Sequence, residues 1–174
     1  MNHRIPTVTL VAAALLVSAT AHADDNTLAG DVRVDAPYDD YTVGVGAMIG
    51  DPTAVGLKTR FDENNALQFH AGWGFADPYG ARATFMLDYL AHIVVFAAET
   101  RDVGLLTPYV GLGGKLGLRE SDDPVAIGAR VPLGLGFLFR EVPIEVFLEI
   151  APGVLVFPEV AALVDGGVGA RVYF

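Results

Sequence analysis

Nucleophilic catalysis by this chain would need a nucleophile with a base, and the sequence offers few residues of either kind. Ser121 is the one serine after residue 18, and it lies in the turn-like stretch RESDDP with no histidine nearby. A catalytic serine needs an ordered base that a third group holds in place. The setting of Ser121 favours a solvated loop, and the sequence therefore predicts no catalytic residue and no enzyme.

A metal or cofactor site is equally hard to find by spacing. The chain has no cysteine, and His70 and His92 are not accompanied by acids at the intervals of a metal-ligand motif. The glycine-rich runs VGVGAMIG and VGLGGK are not followed by a helix whose N-terminus would bind a phosphate. The sequence thus predicts no metal and no cofactor.

Strands must position the charged residues, because the dominant period from residue 40 onward is two. In ALQFHAGWGF, residues 67, 69, 71, 73 and 75 form an apolar face opposite a small and polar one. Turn-forming stretches separate such segments and no helix intervenes, which indicates an antiparallel meander. We predict an all-β, eight-stranded antiparallel up-and-down transmembrane β-barrel with strands at about 40–50, 53–61, 66–76, 81–98, 106–119, 125–139, 144–155 and 162–174.

Side-chain volume indicates which face points outward. Eight strands enclose only enough space for side chains to fill. The apolar face, rich in Phe, Val, Leu and Ile, would overfill that space, whereas the other face is mostly Gly, Ala and Thr with scattered charges. We therefore expect the apolar face to contact lipid, as in outer-membrane barrels, rather than to fill the core of a soluble barrel.

Charges on the small-residue face would then lie in the lumen. This set includes Lys58, Arg60, Arg130, Glu145, Glu149 and Arg171. Because enclosed charges must be paired or hydrated, we predict a Glu145–Arg171–Arg60 cluster with Glu149 one layer deeper. The cluster is interpreted as a structural plug; a gate whose ion pairs exchange partners is the alternative.

Aromatic residues at the predicted strand ends resemble two interfacial girdles. Tyr41, Phe61, Phe137 and Phe139 fall at the periplasmic end, and Trp73 and Phe75 at the outer end. The sequence closes on GVGARVYF, in which Phe174 would be the last lipid-facing residue of the eighth strand.

The N-terminal region predicts export. Residues 1–23 have a basic start, a short apolar run and alanines placed for signal-peptide cleavage after Ala23, with an uncleaved interfacial anchor as the alternative. Residues 24–39 form an acidic leader without periodicity, predicted to be mobile, and residues 40–174 form the barrel. The formal net charge of −10 argues against a nucleic-acid partner.

Several of these stretches carry a resemblance. The terminal segment looks like the signal read by the barrel-assembly machinery, with Gly167, Gly169, Val172 and Phe174 at its pattern positions and Val172 where an aromatic residue is common. With VGVGAMIGDPTAVGLK and VPIEVFLEIAPG, the chain resembles small eight-stranded bacterial outer-membrane barrels of the OmpX and OmpA membrane-domain type, a group of no established activity.

The resemblance implies a monomer in the Gram-negative outer membrane, with lipid, lipopolysaccharide and the assembly machinery as partners. We expect a non-enzymatic, porin-like barrel with a structural role in envelope integrity, and the composition argues against a lipid-modifying enzyme. A small gated pore is one alternative. Surface binding or adhesion through outer loops is another, for which the apolar connection near residues 157–165 is the candidate patch.

Overall fold

A computed structural model describes residues 42–62, 64–74, 81–93, 103–120 and 124–174 of the chain. The predicted signal peptide and leader, residues 1–39, lie outside the described residues. The described chain forms one antiparallel sheet of nine strands, which confirms the all-β antiparallel prediction. Across those same ranges, no helix has the length and apolar character needed to cross a bilayer.

Every paired strand in the sheet is antiparallel to its neighbour. The strand bounds are β1 (Val43–Asp51), β2 (Thr53–Arg60), β3 (Asn65–Trp73), β4 (Ala81–His92), β5 (Gly104–Arg119), β6 (Val125–Arg130), β7 (Leu133–Phe139), β8 (Ile144–Phe157) and β9 (Ala161–Tyr173). Strands β6 and β7 run in the same direction because both pair antiparallel with β5.

The sheet closes on itself as a ring. Each strand from β1 to β4 pairs with the next, and β9 returns to pair with β1 in a register that places Gly46 opposite Arg171. Both β6 and β7 pair with β5 on one side and β8 on the other, so nine strands occupy eight places around the ring. The ring has an inner and an outer face.

A break at Val131 and Pro132 explains why nine strands form instead of the predicted eight. Proline has no backbone N–H for a strand ladder. The backbone groups at the break are still paired, because Val131 N donates to Pro152 O at 2.9 Å and Gly111 N donates to Pro132 O at 2.8 Å. The sheet therefore continues past the break, although the predicted strand 125–139 is divided into β6 and β7.

Strand β8 continues to Phe157, past the predicted end at 155, and β9 begins at Ala161, next to the predicted start at 162. Residues 161–165 belong to β9, where Ala161 pairs with Leu155 and Asp165 with Ala151. The predicted apolar outer connection over residues 157–165 is therefore wrong, and residues 158–160 alone separate β8 from β9. The predicted strand 162–174 already overlapped that connection, and the structure decides in favour of the strand.

The turn between β2 and β3 is held by Asp62. Its Oδ1 accepts hydrogen bonds from Asn64 N at 2.8 Å and from Asn65 N at 2.7 Å, and both carboxylate oxygens accept from Asn65 Nδ2 at 2.9 Å. The side-chain hydrogen bond from Asn65 is the main cause that lowers the pKa of Asp62 below its ordinary value. This turn fixes the register of β2 against β3.

Candidate functional site

The inner face of the ring carries the buried polar residues of the described chain. Strand β8 shows the pattern, since Glu145 and Glu149 are buried while Val146, Leu148 and Ile150 between and beyond them are exposed. The other strands follow the same alternation of period two. The buried polar and charged residues in the described chain are Lys58, Gln68, His70, Thr84, Asp88, His92, Thr107, Arg130, Glu145, Glu149, Asp165 and Arg171.

The outer face carries the large apolar side chains. Leu112 is 67% exposed, Ile49 is 78% exposed and Val164 is 65% exposed, although each lies within a strand. The only cluster of buried apolar residues in the described ranges is small, formed by Ala66, Leu90 and Tyr109. Apolar and polar positions are thus reversed relative to a soluble domain, whose charged residues are rarely buried.

The first group of buried charges, the Glu145 cluster, comprises Lys58, Glu145, Arg171 and Tyr173. Lys58 Nζ lies 3.2 Å from Glu145 Oε1 and 3.3 Å from Oε2, and Arg171 Nη1 lies 3.7 Å from Oε2. The Tyr173 hydroxyl also donates to Oε2. The cluster therefore joins β2 to β8 and β9 across the inside of the ring.

Two residues of the predicted Glu145–Arg171–Arg60 cluster, Glu145 and Arg171, belong to this group. Glu145 and Arg171 are direct cross-strand partners, and Leu138 lies opposite Glu145 across the β7–β8 turn. Lys58 supplies a second cation to Glu145. Arg60 lies two residues further along β2, half-buried at the strand end.

The second group, the Arg130 cluster, comprises Asp88, Arg130, Glu149 and Asp165, with Lys115 at its edge. Arg130 Nε lies 3.2 Å from Asp88 Oδ1, Nη1 lies 3.1 Å from Asp165 Oδ2, and Nη2 pairs with Glu149 Oε1. Lys115 Nζ lies 2.6 Å from Asp165 Oδ1. One arginine on β6 thus contacts carboxylates on β4, β8 and β9.

Uncharged donors complete the coordination of Glu149. Gln68 Nε2 donates to Glu149 Oε2 at 3.0 Å, and the Tyr109 hydroxyl donates to the same oxygen at 2.9 Å. The Tyr109 ring lies against Gly134, where any side chain would overlap it. Tyr109 therefore reaches Glu149 only because position 134 is glycine.

The charges of the two clusters balance. Four cations, Lys58, Lys115, Arg130 and Arg171, face four acids, Asp88, Glu145, Glu149 and Asp165. Ion pairs in a low-dielectric interior are tolerated when both partners are hydrogen-bonded. What the arrangement does chemically is hold opposite charges together across the ring, which links strands that are not neighbours in the sheet.

Some members of this network were missed by the sequence. Asp165 was not placed among the lumen charges, although the predicted strand 162–174 includes it, and Tyr109 and Gln68 were not singled out as ligands of Glu149. A signal for Asp165 does exist, because it has the same strand phase as Arg171. Ser121 lies outside the described residues, so its predicted loop setting is not tested.

Three inner-face residues that are distant in sequence also converge. Single ligand atoms of His70, Asp88 and Glu149 all lie within 4.8 Å of one another, in an arrangement that could hold a metal ion. They come from β3, β4 and β8. Spacing along the chain predicted no metal site, and it could not detect this one, because ring closure alone brings β8 opposite β3 and β4.

Four of the aromatic residues predicted to form girdles lie within the described residues. Phe61 and Trp73 are exposed at the opposite ends of β2 and β3, and Phe137 and Phe139 make an edge-to-face contact at the end of β7, with ring centroids 5.0 Å apart. Phe61, Phe137 and Phe139 share one rim and Trp73 lies at the other. Tyr41 and Phe75 lie outside the described residues.

The predicted assembly-signal residues lie on and just beyond β9. Gly167 and Gly169 have the inner-face phase, whereas Val172 and Phe174 are exposed on the outer side. Phe174 N donates to Val43 O at 2.8 Å, so the segment is paired with β1 where the ring closes.

Comparison with known proteins gives no match to a family model, to a curated protein or to a solved structure. The functional argument therefore depends on the geometry of the two faces and of the buried clusters.

Proposed function

We propose that this chain is a bacterial outer-membrane β-barrel of eight strand positions, with a lumen closed by ion pairs and a non-enzymatic, structural role in the envelope. The observation that carries the proposal is the reversed burial of the closed sheet, with large apolar side chains exposed and charges enclosed. An aqueous surface made of these apolar strands would be an extended aggregation site. A lipid environment removes that cost.

The closed ring meets the second requirement of a bilayer. Hydrocarbon offers no hydrogen-bond partner, so each backbone group in it must be paired within the protein. Pairing of β1 with β9 leaves no open sheet edge between the first and last strands. The exposed Phe61 and Trp73 at opposite rims suit the two interfaces of a membrane.

Localisation and partners follow from the same proposal. The signal-peptide pattern in residues 1–23 and the assembly pattern ending at Phe174 suit export and insertion into the outer membrane. The proposed partners are lipid and lipopolysaccharide around the barrel and the assembly machinery during insertion. We propose that the family is that of the small OmpX-type and OmpA membrane-domain-type barrels.

The clusters support a closed lumen. Lys58, Arg130 and Glu149 each bond to a residue on a strand that is not their neighbour in the ring wall. Eight strand positions leave room for little more than side chains. The surface-binding alternative loses its candidate loop, because residues 158–160 are the whole connection between β8 and β9.

Fractionation tests the location. We expect the expressed full chain to sediment with the outer membrane of a Gram-negative host, to need detergent for extraction, and to migrate faster on gels before boiling than after. Protein that stays soluble without detergent would overturn the proposal.

Conductance tests the closed lumen. The purified barrel should give no steady conductance in planar bilayers, since the Glu145 cluster and the Arg130 cluster fill its interior. A steady current that the Glu145→Gln variant alters would replace the structural plug by a gated pore. Arg140→Met, at an exposed turn residue, serves as the control variant.

Permeability tests the envelope role. A strain that lacks the gene should admit more of a hydrophobic fluorescent dye than its parent, and the wild-type chain should restore the barrier. Unchanged permeability combined with lost surface adhesion would favour the binding role instead.

A further inference from the structure

The inner face contains a second kind of polar site beside its ion pairs. His70, Asp88 and Glu149 place ligand atoms within 4.8 Å of one another, and each residue is at most 2% exposed. Imidazole and carboxylate together are ligands typical of zinc and of related divalent transition metals.

Several buried polar atoms at this point have no hydrogen-bond partner among the described residues. Among them are Gln68 Oε1, His70 Nδ1 and Asp88 Oδ2. The orientation of Gln68 is fixed, since its Nε2 donates to Glu149 and the reversed amide would set two oxygens against each other. Buried acceptors without donors are what a bound cation would satisfy.

Each carboxylate meets Arg130 through one oxygen only, Asp88 through Oδ1 and Glu149 through Oε1. Among the described residues, the second oxygen of Asp88, Oδ2, has no hydrogen-bond donor. Glu149 Oε2 accepts from Gln68 and Tyr109, as metal-bound carboxylates commonly accept from an outer shell.

The Arg130 cluster sets three acids, Asp88, Glu149 and Asp165, against Arg130 and Lys115. The Glu145 cluster has the opposite excess, with Lys58 and Arg171 around Glu145, so the two clusters together are neutral. A bound cation would therefore be held by the ligand atoms and not by a net negative charge.

The imidazole is held by the backbone beside it. A Cβ at Gly56 would come within 2.6 Å of His70 Nε2, so glycine at that position lets the ring lie against β2. The edge of the His70 ring that carries Nε2 therefore faces β2, and the side that carries Nδ1 faces away from β2.

We propose that His70, Asp88 and Glu149 bind one divalent transition-metal ion of the zinc class, with Gln68 Oε1 as a further oxygen ligand. Metal–ligand bonds of about 2.0–2.2 Å require small side-chain rotations that draw the three groups together. The ion adds a cross-link from β3 and β4 to β8, in addition to the ion pairs of Arg130.

Metal titration of the folded protein tests the site. Wild-type protein in detergent micelles, stripped with a chelator, is titrated with Co²⁺ alone and then with Zn²⁺ alone. We expect one equivalent of Co²⁺ with the visible absorption of nitrogen and oxygen coordination, displaced by Zn²⁺. His70→Asn and Asp88→Asn should each weaken binding at least about tenfold, and Gln68→Leu about 10-fold to 100-fold.

The matched control is His92, which is also a buried inner-face histidine but lies outside the three-residue group. The His92→Gln variant should bind as the wild type does. Equal binding by wild type, His70→Asn and Asp88→Asn would overturn the site, as would no binding by the wild type.

A measurement on the wild-type protein alone tests the site even when the variants fail to fold. Zn²⁺ should shift the ring signals of His70 in NMR spectra and leave those of His92 in place. Shifts of His92 alone, or of neither histidine, would contradict the proposal.

Discussion

Arg130 is the residue whose removal should affect folding most. Its guanidinium contacts Asp88, Glu149 and Asp165, and it is among the most completely buried side chains of the described chain. Arg130→Met keeps an unbranched apolar stem but removes the cation. Lys115 remains bound to Asp165, while Asp88 and Glu149 lose their ion pair.

The size of the effect follows from what each variant leaves unpaired. Removing one partner of a buried ion pair costs about 3–5 kcal/mol, because an uncompensated charge stays buried. Lys58→Met is milder, since Glu145 keeps Arg171 at 3.7 Å and the Tyr173 hydroxyl. Hydrogen bonds to a charged group contribute about 1.5–3 kcal/mol each, and the Lys58 ammonium, which is shared between both oxygens of Glu145, is counted here as one such contact.

Urea unfolding in micelles measures the free energy of unfolding that Arg130→Met and Lys58→Met each lose. The chain's single tryptophan, Trp73, is the fluorescent probe. Arg140→Met is the control, because Arg140 is exposed and surface substitutions stay within about 0.5 kcal/mol. Addition of Glu149→Gln to Arg130→Met should recover part of the loss, since it removes one of the unpaired charges.

Two results would refute the reasoning about Arg130. One is an Arg130→Met variant that loses no more stability than Lys58→Met. The other is a double variant with Glu149→Gln in which the two losses simply add, since independent effects would mean that the residues do not act as a pair.

Two further predictions concern single positions. Gly134→Ala places a methyl group against the Tyr109 ring and should cost about 1–3 kcal/mol in the urea assay. Gly114→Ala, where the nearest atom lies 3.8 Å from the added carbon, should be nearly neutral; equal losses would contradict the close contact. The pKa of Asp62 is lowered by its hydrogen bond with Asn65, so the stabilisation it gives is present above the unfolded-state pKa and is lost as pH falls through the lower folded-state value. An NMR titration should find the Asp62 carboxyl below the ordinary aspartate range, and an ordinary value would contradict the turn geometry.

Local features of the fold could be predicted from the sequence. Alternation of period two assigns Glu145 and Arg171 to one face, and the short turn before β8 places Glu145 opposite Leu138. A short turn fixes register over the residues that follow it. The pair of Glu145 with Arg171 was predictable for this reason.

Contacts across the ring were not predictable in this way. Arg130 meets acids on β4, β8 and β9, and neither β4 nor β9 is a neighbour of β6 in the sheet. Such contacts depend on how far the strands are staggered when the sheet closes. The meeting of His70 with Glu149 was missed for the same reason.

The central claim is that the apolar outer face contacts lipid, and fluorescence quenching tests it most directly. The chain has no cysteine, so Leu112→Cys and Arg140→Cys each provide a single labelling site, the first on the outer face of β5 and the second in a turn. In reconstituted bilayers, a fluorophore at 112 should be quenched by spin-labelled lipid chains and shielded from iodide, and one at 140 should respond in the opposite way. Iodide quenching at 112 without quenching by lipid would contradict the account.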